Sequence, residues 1–75
     1  MECPICGTAA RTIRAPSFYG RKINCPQCGS FDVSRVVLEN HTLHRMERGR
    51  RLEILERARR AAPAGTRPMI TTYLL

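Results

Sequence analysis

The sequence has few of the large aromatic residues that usually fill the core of a small domain. Its 75 residues include no Trp, two Phe and two Tyr. A chain of this length buries a low fraction of its surface and usually needs disulfides, a metal or a partner to be stable. We therefore expect a single domain whose stability does not come from an aromatic core.

Long apolar runs are also missing. A run such as Val36–Leu38 is far shorter than the ~20 residues that a membrane span requires. The residues before Cys3 contain no basic region followed by an apolar one, so no targeting segment is expected. These absences predict a cytoplasmic chain that does not associate with membranes.

Acidic residues are scarce. Six Asp and Glu stand against 13 Lys and Arg, which gives a formal net charge of +7. Four thiolates on one divalent cation would lower this charge to about +5 and leave the chain basic. Such a balance favours anionic partners, with nucleic acid first and acidic protein surfaces second.

The chain does contain two nearly identical cysteine turns, Cys3–Gly7 and Cys25–Gly29. A Cys-x-x-Cys turn lets two sulfurs contact one metal ion. Pro after the first Cys fixes φ, and Gly after the second permits a left-handed backbone. The spacing is typical of paired-Cys zinc sites, and cysteines in the cytosol indicate metal rather than disulfides. The predicted ligands of one structural Zn²⁺ are Cys3, Cys6, Cys25 and Cys28.

Residues 1–34, with their doubled CPxCG turns, resemble the zinc ribbons of small prokaryotic proteins and of transcription, ribosomal and topoisomerase components. The four cysteines match the ligands of that group position for position. The resemblance implies a ribbon of two or three short strands with one zinc ion, and it implies no specific activity. Rubredoxins use the same turns for iron, and dithiol redox proteins also use Cys-x-x-Cys, so these two interpretations remain as alternatives.

The predicted fold class is a small metal-bound α+β domain in which a zinc ribbon, residues 1–34, precedes a helical segment, residues 35–62. Ser34 is the expected N-cap of the first helical turn. The strongest helix formers occupy 43–62, and Gly49 is the expected place for a division into two helices. Residues 63–75 are expected to form a tail, of which Met69–Leu75 is apolar.

The helical segment carries an apolar stripe, in which Leu52 and Leu55 are expected to be better protected than Arg51 and Arg57. Glutamates placed four residues before arginines predict stabilising pairs along its exposed face. The predicted pairs are Glu47–Arg51, Glu53–Arg57 and Glu56–Arg60.

No catalytic constellation is visible. The sequence has no Gly-rich phosphate loop and no Ser, His and acid spaced as a triad. A metal ion enclosed by four protein ligands offers no open position for chemistry. We therefore do not expect an enzyme.

Two functions fit these observations. The first is nucleic-acid binding with low sequence specificity, through aromatic and basic residues at a hairpin tip and through an Arg-rich helix. The alternative is a protein-interaction adaptor or homodimer that uses Leu52, Leu55 and residues 69–75. The candidate nucleic-acid contacts are Phe18, Tyr19, Arg21, Lys22, Arg45, Arg48, Arg50 and Arg51.

Overall fold

Two strands with alternating apolar residues form the centre of the sheet. The computed structural model describes residues 1–13 and 19–75. β1 (Arg11–Ile13) pairs antiparallel with β2 (Gly20–Cys25), which pairs antiparallel with β3 (Gly29–Ser34). Every second residue of a strand faces the same side. As a result, Ile23 and its cross-strand partner Phe31 are both fully buried on one face of the sheet.

The tail contributes a fourth strand, β4 (Met69–Ile70), which pairs in parallel with β3. The first three strands lie within residues 1–34, where two or three were expected, whereas the strand in the tail was not predicted. Ile70 is fully buried, which explains why this short segment returns to the sheet. A 3₁₀ turn at Thr72–Leu74 follows β4 and packs near the second helix.

The helical segment forms two helices, α1 (Arg35–Glu39) and α2 (Arg48–Ala61). Ser34 caps α1 as predicted, since its Oγ accepts a hydrogen bond of 3.4 Å from the backbone N–H of Val37. Among the described residues, no helix has both the length and the apolar character needed to cross a bilayer.

The predicted helix over 43–62 is wrong in its first turn, because residues 40–47 form turns between α1 and α2. His41 has a left-handed backbone with a φ of 52°, which redirects the chain after α1. Leu43 is buried in the core at this corner, and such packing outweighs the helix propensity of its neighbours. Gly49 lies inside α2 and does not divide the helices.

One face of α2 packs on the core through Ile54, Leu55 and Ala58, whose spacing of three and four matches the helical period. Leu55 is buried as predicted, but Leu52 is 41% exposed and Arg51 is half-buried. The expectation that Leu52 is better protected than Arg51 was therefore wrong. Position 51 is better protected than position 52, because the helix is rotated relative to the predicted face.

The opposite face of the sheet carries a polar network around Asp32, the one buried acidic side chain in the described part of the chain. Lys22, its cross-strand partner, places Nζ 3.3 Å from one carboxylate oxygen, and Arg67 donates from Nε to the other at 2.8 Å. The remaining acceptors of Arg67 are Asn24 Oδ1, the Ile23 carbonyl and the Phe31 carbonyl. Arg67 therefore ties the segment before β4 to both central strands.

Replacing Arg67 with Met is expected to lower the free energy of unfolding by ~2–4 kcal/mol, because it removes four hydrogen bonds and one partner of the buried Asp32. Chemical denaturation at a fixed free zinc concentration measures the change. Arg60→Met is the control, since Arg60 is exposed on α2 and its replacement is expected to change the free energy of unfolding by less than ~0.5 kcal/mol. Equal denaturation midpoints for the two variants would show that the network contributes nothing.

Candidate metal centre

The two cysteine turns have the same backbone conformation at their glycines. Gly7 and Gly29 have φ values of +79° and +81°, the left-handed region that glycine adopts without strain. In the first turn, Gly7 N–H donates to the Cys3 carbonyl at 2.9 Å, and Cys3 N–H donates to the Thr8 carbonyl at 2.7 Å. The Cys-Pro-x-Cys-Gly pattern therefore produces the predicted turn twice.

The sheet brings the two turns together. The first turn lies immediately before β1, where Glu2 and Ala9 form an antiparallel bridge. The second turn connects β2 to β3, so Cys25 ends one strand and Gly29 begins the next. Pairing of β1 with β2 then holds the first turn beside the second.

The four cysteine sulfurs form one compact cluster. All four Sγ atoms lie within 4.8 Å of one another. Two pairs join one turn to the other, with 3.9 Å between the Sγ atoms of Cys3 and Cys28 and 3.5 Å between those of Cys6 and Cys25. These separations exceed the disulfide bond length of about 2.05 Å, and all four cysteines are free thiols.

A tetrahedral metal ion fits this cluster. Zinc–sulfur bonds of about 2.3 Å place neighbouring sulfurs about 3.8 Å apart in a tetrahedron, which lies within the observed range. Thiolates select zinc or iron over the oxygen-preferring Mg²⁺ and Ca²⁺. No other group of three or more potential ligands occurs among residues 1–13 and 19–75. The four predicted ligands are thus brought together in a geometry that can bind a metal ion.

The four thiols differ in their electrostatic surroundings. Cys3, Cys25 and Cys28 are buried, whereas Cys6 is half-buried. Burial raises the pKa of the Cys3 and Cys28 thiols, because the charged thiolate is poorly solvated there. The Thr8 side chain hydrogen-bonds the Cys6 sulfur and lowers its pKa to about 6. A bound cation would supply the positive charge that the buried thiolates need.

Two arginines of α2 contact the cysteine turns from outside. Arg51 donates from Nη1 to the Pro4 carbonyl at 3.2 Å, in the first turn. Arg59 donates from Nη2 to the Cys28 carbonyl, in the second turn. Arg51 was expected to contact phosphates, but its guanidinium is directed into the protein, and its Nε is buried without a hydrogen-bond partner in the described structure.

The predicted nucleic-acid contacts at the hairpin do not share one environment. Phe18 lies outside the described residues. Tyr19 is 76% exposed, and the Arg35 guanidinium lies 5.6 Å from the centre of its ring. Arg21 is exposed near the same end of β2, whereas Lys22 forms the ion pair with Asp32.

The predicted nucleic-acid contacts in the helical segment include both exposed arginines and arginines that pair with glutamates. Arg45 and Arg48 are exposed. Arg50 pairs with Glu53 at 3.2 Å, and Arg59 pairs with Glu56. Glu53 and Glu56 thus each pair with an arginine three residues away. In the described structure they do not form the predicted pairs with Arg57 and Arg60, which lie four residues away. Their exposure makes each pair a small contribution to stability.

Three arginines have structural roles that were not predicted from the sequence. Arg59 contacts the second cysteine turn, and its position eight residues after Arg51 places both arginines near one side of α2. Arg35 follows the N-cap Ser34 and acquires its contact with Tyr19 only through sheet pairing. The role of Arg67 could not be predicted from neighbouring residues, because its charged acceptor Asp32 lies 35 residues away in the chain.

Comparison with known proteins leaves the family open. No protein-family model matches the chain, and no match was found among the curated proteins or the solved structures. Support for the metal centre therefore comes from the geometry of the four cysteines.

Zinc binding to the metal-free chain is expected to release at least two protons near neutral pH. A thiol in an unfolded chain has a pKa of about 8.5, and burial in the folded chain raises the pKa of Cys3 and Cys28. Both are therefore protonated near neutral pH in either state, and both must become thiolates to bind the metal. Affinity should therefore rise with pH, by at least about two log units per pH unit below the pKa of these thiols.

Calorimetric titrations in buffers with different ionisation enthalpies count the released protons. Zinc binding by EDTA in each buffer serves as the control. A count below two would contradict the assignment of Cys3 and Cys28 as protonated thiols that become metal ligands.

Proposed function

We propose that the chain is a non-catalytic zinc-binding module that binds single-stranded nucleic acid with low sequence specificity. The observation that carries the metal assignment is the cluster of four sulfurs within 4.8 Å. Zinc is proposed because it favours a tetrahedral shell of thiolates and needs no redox chemistry to serve a structural role. The proposed compartment is the cytoplasm, where thiols stay reduced.

The proposed role of the metal is structural. Four protein ligands would fill a tetrahedral shell and leave no position for substrate or water. Cys3, Cys25 and Cys28 belong to the same buried cluster as Ile5 and Ile54, so the ligands are part of the hydrophobic core. Metal binding in such a site supplies folding free energy.

We expect one zinc per chain and a decrease in helical structure when a chelator removes it. Elemental analysis of the purified protein and far-ultraviolet circular dichroism, before and after EDTA, provide the measurements. Cys25→Ser should abolish stoichiometric zinc binding, and Arg60→Ala should retain it. A chain that keeps its helices without zinc would refute the structural role. Bound iron with a thiolate-to-iron charge-transfer spectrum would show that the metal is iron instead of zinc.

Support for nucleic-acid binding comes from the end of the sheet where β2 begins. Tyr19 offers an exposed ring on which a base can stack, and Arg35 lies against that ring. Arg21 adds an exposed cation two residues further along the chain. Arg45 and Arg48 are exposed cations of the helical segment. The remaining predicted cations are engaged within the protein, so the proposed contact set is smaller than the sequence suggested.

The alternative, a protein adaptor or homodimer, has support from two exposed residues. Leu52 is 41% exposed and Tyr73 is 97% exposed. Leu55 and Ile70, which belong to the predicted partner surface, are buried within the chain itself. The apolar surface left for a partner is therefore reduced, and we place this function second.

A fluorescence titration with a labelled oligo-dT strand at low salt tests nucleic-acid binding. Tyr19→Ala should weaken binding by about 1 kcal/mol or more, or about fivefold in Kd, if the ring stacks on a base. Tyr73→Ala is the matched control, because it removes another exposed ring from a different part of the chain. Arg21→Gln and Arg48→Gln each remove one cation that would bind a phosphate, so each should reduce the log–log salt slope by about 0.7.

Absence of binding at low ionic strength would reject the nucleic-acid proposal. A dimeric mass in size-exclusion chromatography that Leu52→Ser reduces to the monomer would favour the alternative. Equal weakening by Tyr19→Ala and Tyr73→Ala would show that the end of β2 is not the binding surface.

A further inference from the structure

We propose that Arg51 and Arg59 act as counter-ions of the metal centre and hold its two cysteine turns against α2, so that they slow the release of the metal. This inference rests on the proposed zinc site. It assigns to these arginines a positioning role for the metal ligands.

The first observation is that each arginine contacts a different turn. Arg51 bonds the Pro4 carbonyl between the first two ligands, and Arg59 bonds the carbonyl of the ligand Cys28 itself. Both arginines belong to α2, whose buried residues all lie between them in the sequence. Hydrogen bonds from outside the ligand shell orient metal ligands and affect metal affinity. Here they also connect the two turns through one rigid element.

The second observation concerns charge. Four thiolates around one divalent cation carry a formal charge of about −2, and two guanidinium groups carry about +2. Three of the four cysteines are buried, so water screens the charge of the centre incompletely. Arg59 shares its charge with Glu56, which its Nη1 also contacts. Arg51 has no carboxylate partner within the described part of the chain.

The third observation is the buried Nε of Arg51, which has no hydrogen-bond partner in the described structure. Burying part of a guanidinium without a partner is unfavourable unless a nearby negative charge compensates. The dianionic metal centre beside the first turn is the compensating charge on this proposal. This compensating charge explains why α2 directs Arg51 towards the core, although Leu52 was expected to be the better-protected residue.

Release of the metal requires the two turns to separate. The first turn precedes β1 and the second joins β2 to β3, so in the described residues they are linked by strand pairing and by the shared core. With Arg51 and Arg59 in place, separation also breaks the hydrogen bonds to α2 and exposes the charges of the centre. The arginines should therefore act mainly on the rate of metal release.

The test measures zinc release from the zinc-loaded full chain to an excess of a chromogenic chelator. Arg51→Gln and Arg59→Gln should each release zinc about 10–100 times faster than the parent chain, because loss of such a supporting hydrogen bond typically weakens metal affinity by that factor and we expect the effect in the release rate. Arg60→Gln, an exposed change on the same helix, should release it at the parent rate. Arg51→Lys and Arg59→Lys keep the charge, and each should reverse at least half of the acceleration on a logarithmic scale.

A spectroscopic readout separates an effect on the centre from a general decrease in stability. In the Co²⁺-substituted protein, the thiolate-to-cobalt charge-transfer band should shift in Arg51→Gln and Arg59→Gln and stay unchanged in Arg60→Gln. If a Gln variant does not fold, its Lys variant provides the comparison with the parent chain.

The outcomes separate this inference from the proposed function. A parent chain without one zinc refutes the proposed function, and the inference with it. One zinc per parent chain, with Gln variants that release it at the Arg60→Gln rate, overturns only the inference. Lys variants that release zinc as fast as the Gln variants overturn the counter-ion role, since charge alone would then not retain the metal.

Discussion

The rest of the structure depends on the convergence of two cysteine turns that lie far apart in the sequence. Their four sulfurs approach within 4.8 Å, and three of the four cysteines are buried in the same cluster as the apolar core. In a chain with no Trp and few other aromatics, the core around Phe31 is small. A metal ion bound to these sulfurs would therefore stabilise the packing of the sheet on α2 as well as the turns themselves.

Charge is distributed so that some arginines are engaged within the protein, while others remain exposed in the described part of the chain. Arg67 and Lys22 neutralise the buried Asp32 on one face of the sheet, while Arg51 and Arg59 reach the cysteine turns from α2. A bound zinc ion with four thiolates would lower the net charge from +7 to about +5, and Arg51 and Arg59 would then face the metal centre instead of an anionic ligand. This distribution connects the two proposals, because it assigns some arginines to the metal centre and leaves others for contact with nucleic acid.

Features set by local chemistry were predictable from the sequence. The cysteine turns, their left-handed glycines and the cap at Ser34 depend on residues within a few positions of one another. Strand β4, the turns over 40–47 and the rotation of α2 depend on distant packing, so they could not be predicted from local patterns. Arg67 illustrates the reason, since its acceptors lie on β2 and β3, and nothing near residue 67 indicates a buried carboxylate at Asp32.

The most direct test of the central claim is X-ray absorption spectroscopy at the zinc edge on the zinc-loaded full chain. The account predicts a first shell of four sulfur atoms at about 2.3 Å, with no oxygen or nitrogen ligand. A shell with fewer than four sulfurs, completed by light atoms, would contradict the joint ligation of one metal by Cys3, Cys6, Cys25 and Cys28.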